Sequence, residues 1–289
     1  MLIQDLDLTA SDVAVNILAN LVSSIILLVV GFLAGRWSDY SRKGRAFKRV
    51  FGKSAGRVGE LLIVLDTIRD TRVLSPSDQA AIGIQSPKPT PAGARYYKLF
   101  PDRHFTWIPG PNEALVPECS ARAAGYLIDA FRGIRKISTK SVSDSSVGSR
   151  WNGTFIALGS SYSNIKTDDI KHLPENPWLL DDAGEFKLKD GNLVRIEPRC
   201  DKGLILKLPN PHCQGHSLVV CEGLGEWGTS GAAWFLATHW RTLSRRFGQQ
   251  PFLLILNVTI GDDESTREIL ARGQELRLWR LAKWFQAKL

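Results

Sequence analysis

The order of apolar and polar positions separates an N-terminal membrane segment from the rest of the chain. From Val13 to Gly35 the sequence VAVNILANLVSSIILLVVGFLAG contains 23 consecutive residues without a charge. At 1.5 Å rise per residue, a helix of this length crosses the roughly 30 Å hydrocarbon core of a bilayer. We therefore expect one transmembrane helix over residues 13–35. A cleaved signal peptide is not favoured, because acidic residues precede the run and Arg36 follows it directly.

Short apolar runs alternate with longer helical patterns from Gly59 onward, which is typical of a mostly parallel α/β sheet. The runs ELLIVLDTI, KISTKSV, TFIALGS, SLVVCEG and PFLLILNVTIG predict strands, and ECSARAAGYLIDAFRG predicts a helix. Turn residues between KDGNLVRIEP and KGLILKLPNP predict an inserted antiparallel hairpin. The C-terminal ELRLWRLAKWFQAKL is expected to close the fold as a helix, with a membrane-interface helix as the alternative.

Charge sets the expected orientation. Eight lysines and arginines lie between residues 36 and 57, against the single acidic residue Asp39. Short flanks this basic remain cytoplasmic and contact anionic lipid headgroups. The predicted divisions are thus an extracytoplasmic N-terminus (1–12), the transmembrane helix (13–35), a basic cytoplasmic neck (36–57) and a cytosolic α/β domain (58–289). Because the neck carries most of the net charge of +8, no nucleic-acid partner is expected.

Polar and small residues fall near one stripe of the predicted span. Asn16 and Asn20 lie on it, and Gly31 and Gly35 form a Gly-x-x-x-Gly pattern that lets helix backbones approach closely. The stripe favours a homo-oligomer, in which the asparagines either hydrogen-bond between helices or line an aqueous path. The alternative is an inert anchor that tolerates these residues.

Candidate ligand-binding residues follow four predicted strands. In an open parallel sheet, ligands bind outside the carboxyl ends of the strands, where glycines admit close backbone approach and helix N-termini favour anions. Tight α/β turns also use glycine without any ligand. The candidates are Gly110, Asn112 and Glu113; Gly159, Ser160, Ser161, Ser163 and Asn164; Glu222, Gly223, Gly225, Glu226, Gly228, Thr229 and Ser230; and Asp262.

The Gly228–Thr229 step resembles the loop of a Rossmann-like family that includes cytokinin-activating phosphoribohydrolases and related sensors of bacterial nucleotide signals. The resemblance covers about ten residues, with Gly159–Ser161 as a partner loop. It implies a Rossmann-like sheet that binds a nucleotide. Those enzymes carry a carboxylate three positions after the Gly-Thr step, where this chain has Ala232, so the resemblance favours binding without turnover.

The order of anchor, basic neck and α/β domain is similar to effectors of bacterial antiphage signalling systems. That similarity implies a single-pass inner-membrane protein that binds a signalling nucleotide and then disrupts the membrane. Two alternatives remain open: a membrane-anchored nucleotide or nucleoside hydrolase, and a membrane-anchored scaffold that binds a protein.

Cofactor and metal chemistry are not expected. The glycine spacing at Gly223–Gly228 matches a dinucleotide fingerprint, but it lies late in the chain and no carboxylate follows near Phe247. Cys200, His212, Cys213 and His216 do not have the spacing of a structural zinc site. Cysteines of a cytosolic domain are expected to stay reduced.

Overall fold

The computed structural model describes residues 10–52, 59–66, 116–132, 134, 137–147, 153–161, 163–180 and 185–276. The chain divides into two compact units, Met1–Arg45 and Ala46–Leu289. The second unit contains all of the described β-structure.

Helix α1 (Ala10–Phe51) accounts for the described part of the first unit. It is the one described helix that is long and apolar enough to cross a membrane. Its large apolar side chains between residues 15 and 37 are exposed, Leu27 by 71% and Leu28 by 73%. Apart from neighbouring residues and the backbone of the helix itself, no described atom lies within 4 Å of a Cβ placed on Gly31 or Gly35. The predicted helix is confirmed as a helix, whereas its insertion and orientation stay predictions.

Seven described strands of the second unit form one sheet: β1 (Gly59–Leu65), β2 (Ile137–Ser143), β3 (Phe155–Leu158), β6 (Cys200–Pro209), β7 (Ser217–Gly223), β8 (Phe252–Thr259) and β9 (Asp262–Gly273). Their order across the sheet is β2-β1-β3-β7-β6-β8-β9. Strand β1 is parallel to β2 and β3, and β3 is parallel to β7. Strand β6 is antiparallel to β7 and β8, and β9 is antiparallel to β8. Five of the seven strands therefore point the same way.

Both faces of the sheet are covered, which explains why its central strands read as continuous apolar runs. On one face, strand residues such as Ile63 and Val219 belong to a core with α2 (Glu118–Arg132), α4 (Glu226–Arg246) and the buried side chains of Phe47 and Phe51. On the other face, strand residues such as Val64 and Val220 pack with Ile170 of α3 (Ile165–Lys171).

The predicted inserted hairpin is wrong in its pairing. The small hairpin that forms is β4 (Phe186–Lys187) with β5 (Leu193–Val194). The segment KGLILKLPNP instead supplies β6, which pairs with β7 and β8 in the main sheet. A segment with apolar side chains on both faces buries more apolar surface, and so gains more stability, as a central strand than as an exposed arm of a hairpin.

The strand predicted at PFLLILNVTIG is confirmed as β8, and the next described element is a strand rather than a helix. A tight turn at Ile260–Gly261, with Gly261 at φ 96°, leads directly into the antiparallel strand β9. The predicted C-terminal helix covers residues 275–289, of which 277–289 lie outside the described residues and Glu275 and Leu276 are not helical.

Candidate functional site

A topological switch point lies between β1 and β3, because the strands that follow β1 in the chain pair with its opposite edges. From β1 the chain passes through α2 to β2 on one side, whereas β3 pairs with the opposite edge of β1. In open α/β sheets, the crevice at such a switch point, outside the carboxyl ends of the strands, is where ligands bind. Asp66 follows β1 at this crevice, and the loop of residues 159–163 follows β3.

The loop after β3 and the end of β7 come together as the sequence predicts. The amide of Ser161 donates a hydrogen bond to Glu222 Oε1 at 3.1 Å. Ser160 and Ser163 have their hydroxyls 3.3 Å apart. Ser160, Ser161 and Ser163 are half-buried, whereas the Glu222 side chain is only 3% exposed. These candidates thus form one polar cluster.

Asn164 supports this cluster from within. Its side-chain oxygen caps α3 by accepting hydrogen bonds from the Lys166 and Thr167 amides at 2.8 and 3.3 Å. Its amide nitrogen donates to the carbonyls of Val64 and Leu158 at 3.1 and 2.7 Å. Because these bonds hold the ends of β1 and β3 to α3, we assign Asn164 a positioning role.

Lys171 neutralises Glu222. Its ammonium lies 3.2 Å from Glu222 Oε2 and 3.2 Å from the Ser161 hydroxyl, which accepts its hydrogen bond. Both charged side chains are almost fully buried, at 2% and 3% exposure. Removing either partner would leave an uncompensated buried charge, which is strongly destabilising. Sequence reasoning missed Lys171, which lies on the short helix after the serine-rich loop.

Asp66 is the second residue that sequence reasoning missed. Its Oδ2 accepts a hydrogen bond from Ser163 at 2.7 Å, across the gap between β1 and β3. Burial raises the pKa of the Asp66 carboxyl, nearby Asp144 raises it further, and the hydroxyls of Ser120 and Ser163 oppose the shift. A lone carboxylate directly after the apolar run ELLIVL is the sequence feature that marks it.

The backbone amides of the glycine-rich turn before α4 already bind a carboxylate side chain of the protein itself. Asp201, on β6, accepts hydrogen bonds from the amides of Gly225 at 2.9 Å and Gly228 at 2.7 Å, and also from Lys202. The amides of Gly225 and Gly228 are among those that the sequence assigns to a phosphate. The Asp201 side chain therefore fills the anion-binding position at the N-terminus of α4.

Close packing of the backbone explains the other glycines of this turn. A Cβ on Gly228 would lie 2.2 Å from the carbonyl oxygen of Lys202, and a Cβ on Gly223 would lie 2.2 Å from the Thr229 amide nitrogen. Thr229 itself is buried. The turn thus brings α4 directly against β6 and β7, a role that requires no ligand.

Ser230 belongs to a separate cluster at the same edge of the sheet. Its hydroxyl donates to Asp263 Oδ1 at 2.5 Å, and Arg122 of α2 pairs with Asp263 Oδ2 at 3.3 Å. Tyr126 donates to the same carboxylate at 3.1 Å, and the Arg122 guanidinium lies 4.3 Å from the centre of the Trp227 ring. These contacts fasten α2, α4 and β9 together.

The remaining candidates do not join the switch-point cluster in the described contacts. Asp262 is exposed at the start of β9, where it accepts a hydrogen bond from the Glu264 amide. Glu226 lies in the first turn of α4. Gly110, Asn112 and Glu113 lie outside the described residues. Among the residues that the structure describes, no group of three His, Cys, Asp or Glu side chains is placed to hold a metal ion.

Comparison with known proteins identifies no relative: no family model, no curated protein and no solved structure matches the chain.

Proposed function

We propose that this protein is a membrane-tethered sensor whose Rossmann-like α/β domain binds a nucleotide at the crevice between β1 and β3. The observation that carries the proposal is the polar cluster of Asp66, Ser160, Ser161, Ser163 and Glu222 at the switch point of the sheet. Buried polar groups are costly where an apolar side chain would serve, so their concentration at a crevice favours a binding role.

The proposed site differs from a phosphate cradle at the glycine-rich turn. Asp201 occupies the amides of that turn, so a phosphate there would have to displace a buried carboxylate. The half-buried hydroxyls of Ser160 and Ser161 are the better ligand contacts. The site is therefore centred on residues 159–163 and Asp66.

Titration of the purified full chain in detergent tests this function. The probes are the four ribonucleoside monophosphates and their 3′,5′-cyclic forms, followed by calorimetry, with mass spectrometry of any nucleotide that copurifies. We expect saturable binding that Ser161→Ala weakens about 3–10-fold, because one hydrogen bond contributes about 0.5–1.5 kcal/mol. Ser138→Ala, at an exposed serine on β2, is the control. Absence of binding to every probe would refute the function.

For the membrane end, we propose a single-pass protein of the bacterial inner membrane with its N-terminus outside and its α/β domain in the cytosol. Cysteine labelling in intact cells should then reach positions before Ser11 and fail to reach positions after Arg36. Labelling in the reverse pattern would refute this topology.

Ligand binding would act on the membrane through a homo-oligomer of such spans. A ligand shifts an assembly only by the difference in its affinity for two arrangements, and packing at Gly31 and Gly35 offers a contact that can differ between them. Disruption of the membrane during antiphage signalling is the proposed outcome.

A nucleotide or nucleoside hydrolase is the second candidate, and the environment of Asp66 favours it. A buried carboxyl with a raised pKa, hydrogen-bonded to a serine, can serve as a general acid or base. Incubating each bound probe with the protein and following its products by chromatography decides between the two. Conversion that Asp66→Asn abolishes would favour the hydrolase, and stable recovery of the probe would favour the sensor.

A further inference from the structure

The carboxyl group of Asp66 lies in the gap between the ends of β1 and β3. Gly159, which follows β3 at φ 99°, brings its backbone so close that an added Cβ would be 2.6 Å from Asp66 Oδ2. Only glycine adopts this conformation easily and leaves room for the carboxyl group. Glycine at position 159 therefore leaves the space that the Asp66 carboxyl group occupies at the switch point.

One oxygen of this carboxyl group accepts no hydrogen bond of ordinary length from the described residues. Asp66 is 3% exposed, and its Oδ2 accepts the Ser163 hydroxyl. Its Oδ1 is fully buried and has no donor within hydrogen-bond distance among the described residues, although the buried Ser120 hydroxyl lies near enough to lower the pKa of this carboxyl group. A buried oxygen without a donor is rare in native proteins, because desolvation is then uncompensated.

The charges around Asp66 determine which groups Oδ1 can accept as partners. The carboxylate of Asp144 lies near enough to disfavour ionisation of Asp66. No described lysine or arginine forms an ion pair with Asp66, and no described group of three acidic, histidine or cysteine side chains would hold a metal ion beside it. The position thus repels a phosphate and favours a hydroxyl or amine that donates a hydrogen bond.

We propose that Asp66 Oδ1 accepts a hydrogen bond from a hydroxyl or amine of the nucleoside part of the ligand, so that the site recognises the sugar or base at β1. This inference rests on the proposed nucleotide-binding function. The phosphate then lies away from Asp66, toward the hydroxyls of Ser160 and Ser161. Asp66 discriminates between ligands because an analogue without the donor leaves the carboxylate unpaired.

Two properties of the full chain in detergent test this assignment: nucleotide affinity by calorimetry and the thermal midpoint of the unliganded protein. We expect Asp66→Asn to weaken binding of whichever monophosphate or cyclic monophosphate binds the parent by about ten-fold or more, since a charged acceptor is lost. We also expect it to raise the thermal midpoint, because it removes an unpaired buried charge. Asp129→Asn, at an exposed carboxylate on α2, is the matched control and should change neither property.

Analogues of the bound probe identify the donor. The 2′-deoxy form removes a sugar hydroxyl, and the form without the exocyclic amine removes a base donor. The analogue that lacks the true donor should bind the parent about ten-fold more weakly and bind the Asp66→Asn protein with no further loss. If the Asp66→Asn protein does not fold, the pH dependence of binding to the parent provides the test. The affinity of the parent for the intact probe should rise with pH as Asp66 ionises, and its affinity for the analogue that lacks the true donor should not.

Two outcomes distinguish failure of the Asp66 assignment from failure of the proposed nucleotide-binding function. If the parent binds a probe and Asp66→Asn binds it equally well, the assignment of Asp66 is wrong and nucleotide binding stands. If the parent binds no probe, both are wrong.

Discussion

Lys207 on β6 offers a direct test of how the domain holds the end of α1. Its side chain is 1% exposed, and its ammonium donates to three backbone carbonyls. The acceptors are Arg49 and Gly248 at 3.1 Å and Gln250 at 3.3 Å. Arg49 lies in the last turn of α1 and Gly248 follows α4, so the ammonium faces the negative ends of two helices.

Burial lowers the pKa of the Lys207 ammonium from its usual 10.5 to about 7. Between these two values the unfolded chain binds a proton that the folded domain has released, so the free energy of unfolding rises with pH across this window. The full difference is on the order of 5 kcal/mol, at about 1.36 kcal/mol per unit. Between pH 7.0 and 8.5 the free energy of unfolding should rise by about 1–2 kcal/mol.

Replacing Lys207 by Met should remove this pH dependence and leave the three carbonyls without a donor. We expect Lys207→Met to cost about 1–3 kcal/mol at pH 8.5 and less at pH 7.0, where the buried charge of the parent offsets its hydrogen bonds. Urea unfolding of the full chain in detergent, followed by tryptophan fluorescence, measures both values. Lys140→Met, at an exposed lysine on β2, is the control.

A difference between the parent and Lys207→Met that stays constant from pH 7.0 to 8.5 would refute the reasoning. That result would mean that the three carbonyls keep Lys207 protonated throughout the range. Burial also raises the pKa of the Cys221 thiol. This shift lowers the free energy of unfolding only above the usual pKa of a thiol, where the unfolded chain loses the proton, so it does not affect the comparison between pH 7.0 and 8.5.

Three further outcomes follow from the structure. Asp201→Ala should lower the free energy of unfolding by about 2–4 kcal/mol because buried amides lose their acceptor, and an unchanged urea midpoint would contradict the capping role. Gly228→Val should cost about 3 kcal/mol or more, measured the same way, because its Cβ would overlap the Lys202 carbonyl; a stable variant would show that the turn can move. A Gly31→Leu, Gly35→Leu double variant should reduce depolarisation of cells given the activating nucleotide without changing affinity in detergent. Undiminished depolarisation would show that the span is only a tether.

The elements that depend on local pattern could be predicted from the sequence. The uncharged run over residues 13–35 marks a helix, and the apolar runs at β1, β3, β7 and β8 mark strands, because burial on both faces requires continuous apolar residues. The approach of Ser161 to Glu222 also followed from placing strand ends at one edge of the sheet.

Contacts between distant segments could not be predicted in this way. Asp66 meets Ser163 across 97 positions, and Asp201 reaches the Gly228 amide across 27. Both depend on which strand lies beside which, and β6 reads equally well as a hairpin arm until β7 and β8 pair with it. Local periodicity shows that a segment is a strand, but strand order is decided by the burial and hydrogen bonding of the whole sheet. The tertiary structure therefore decided that the glycine-rich turn holds Asp201 and that an unpaired carboxyl oxygen lies at the switch point.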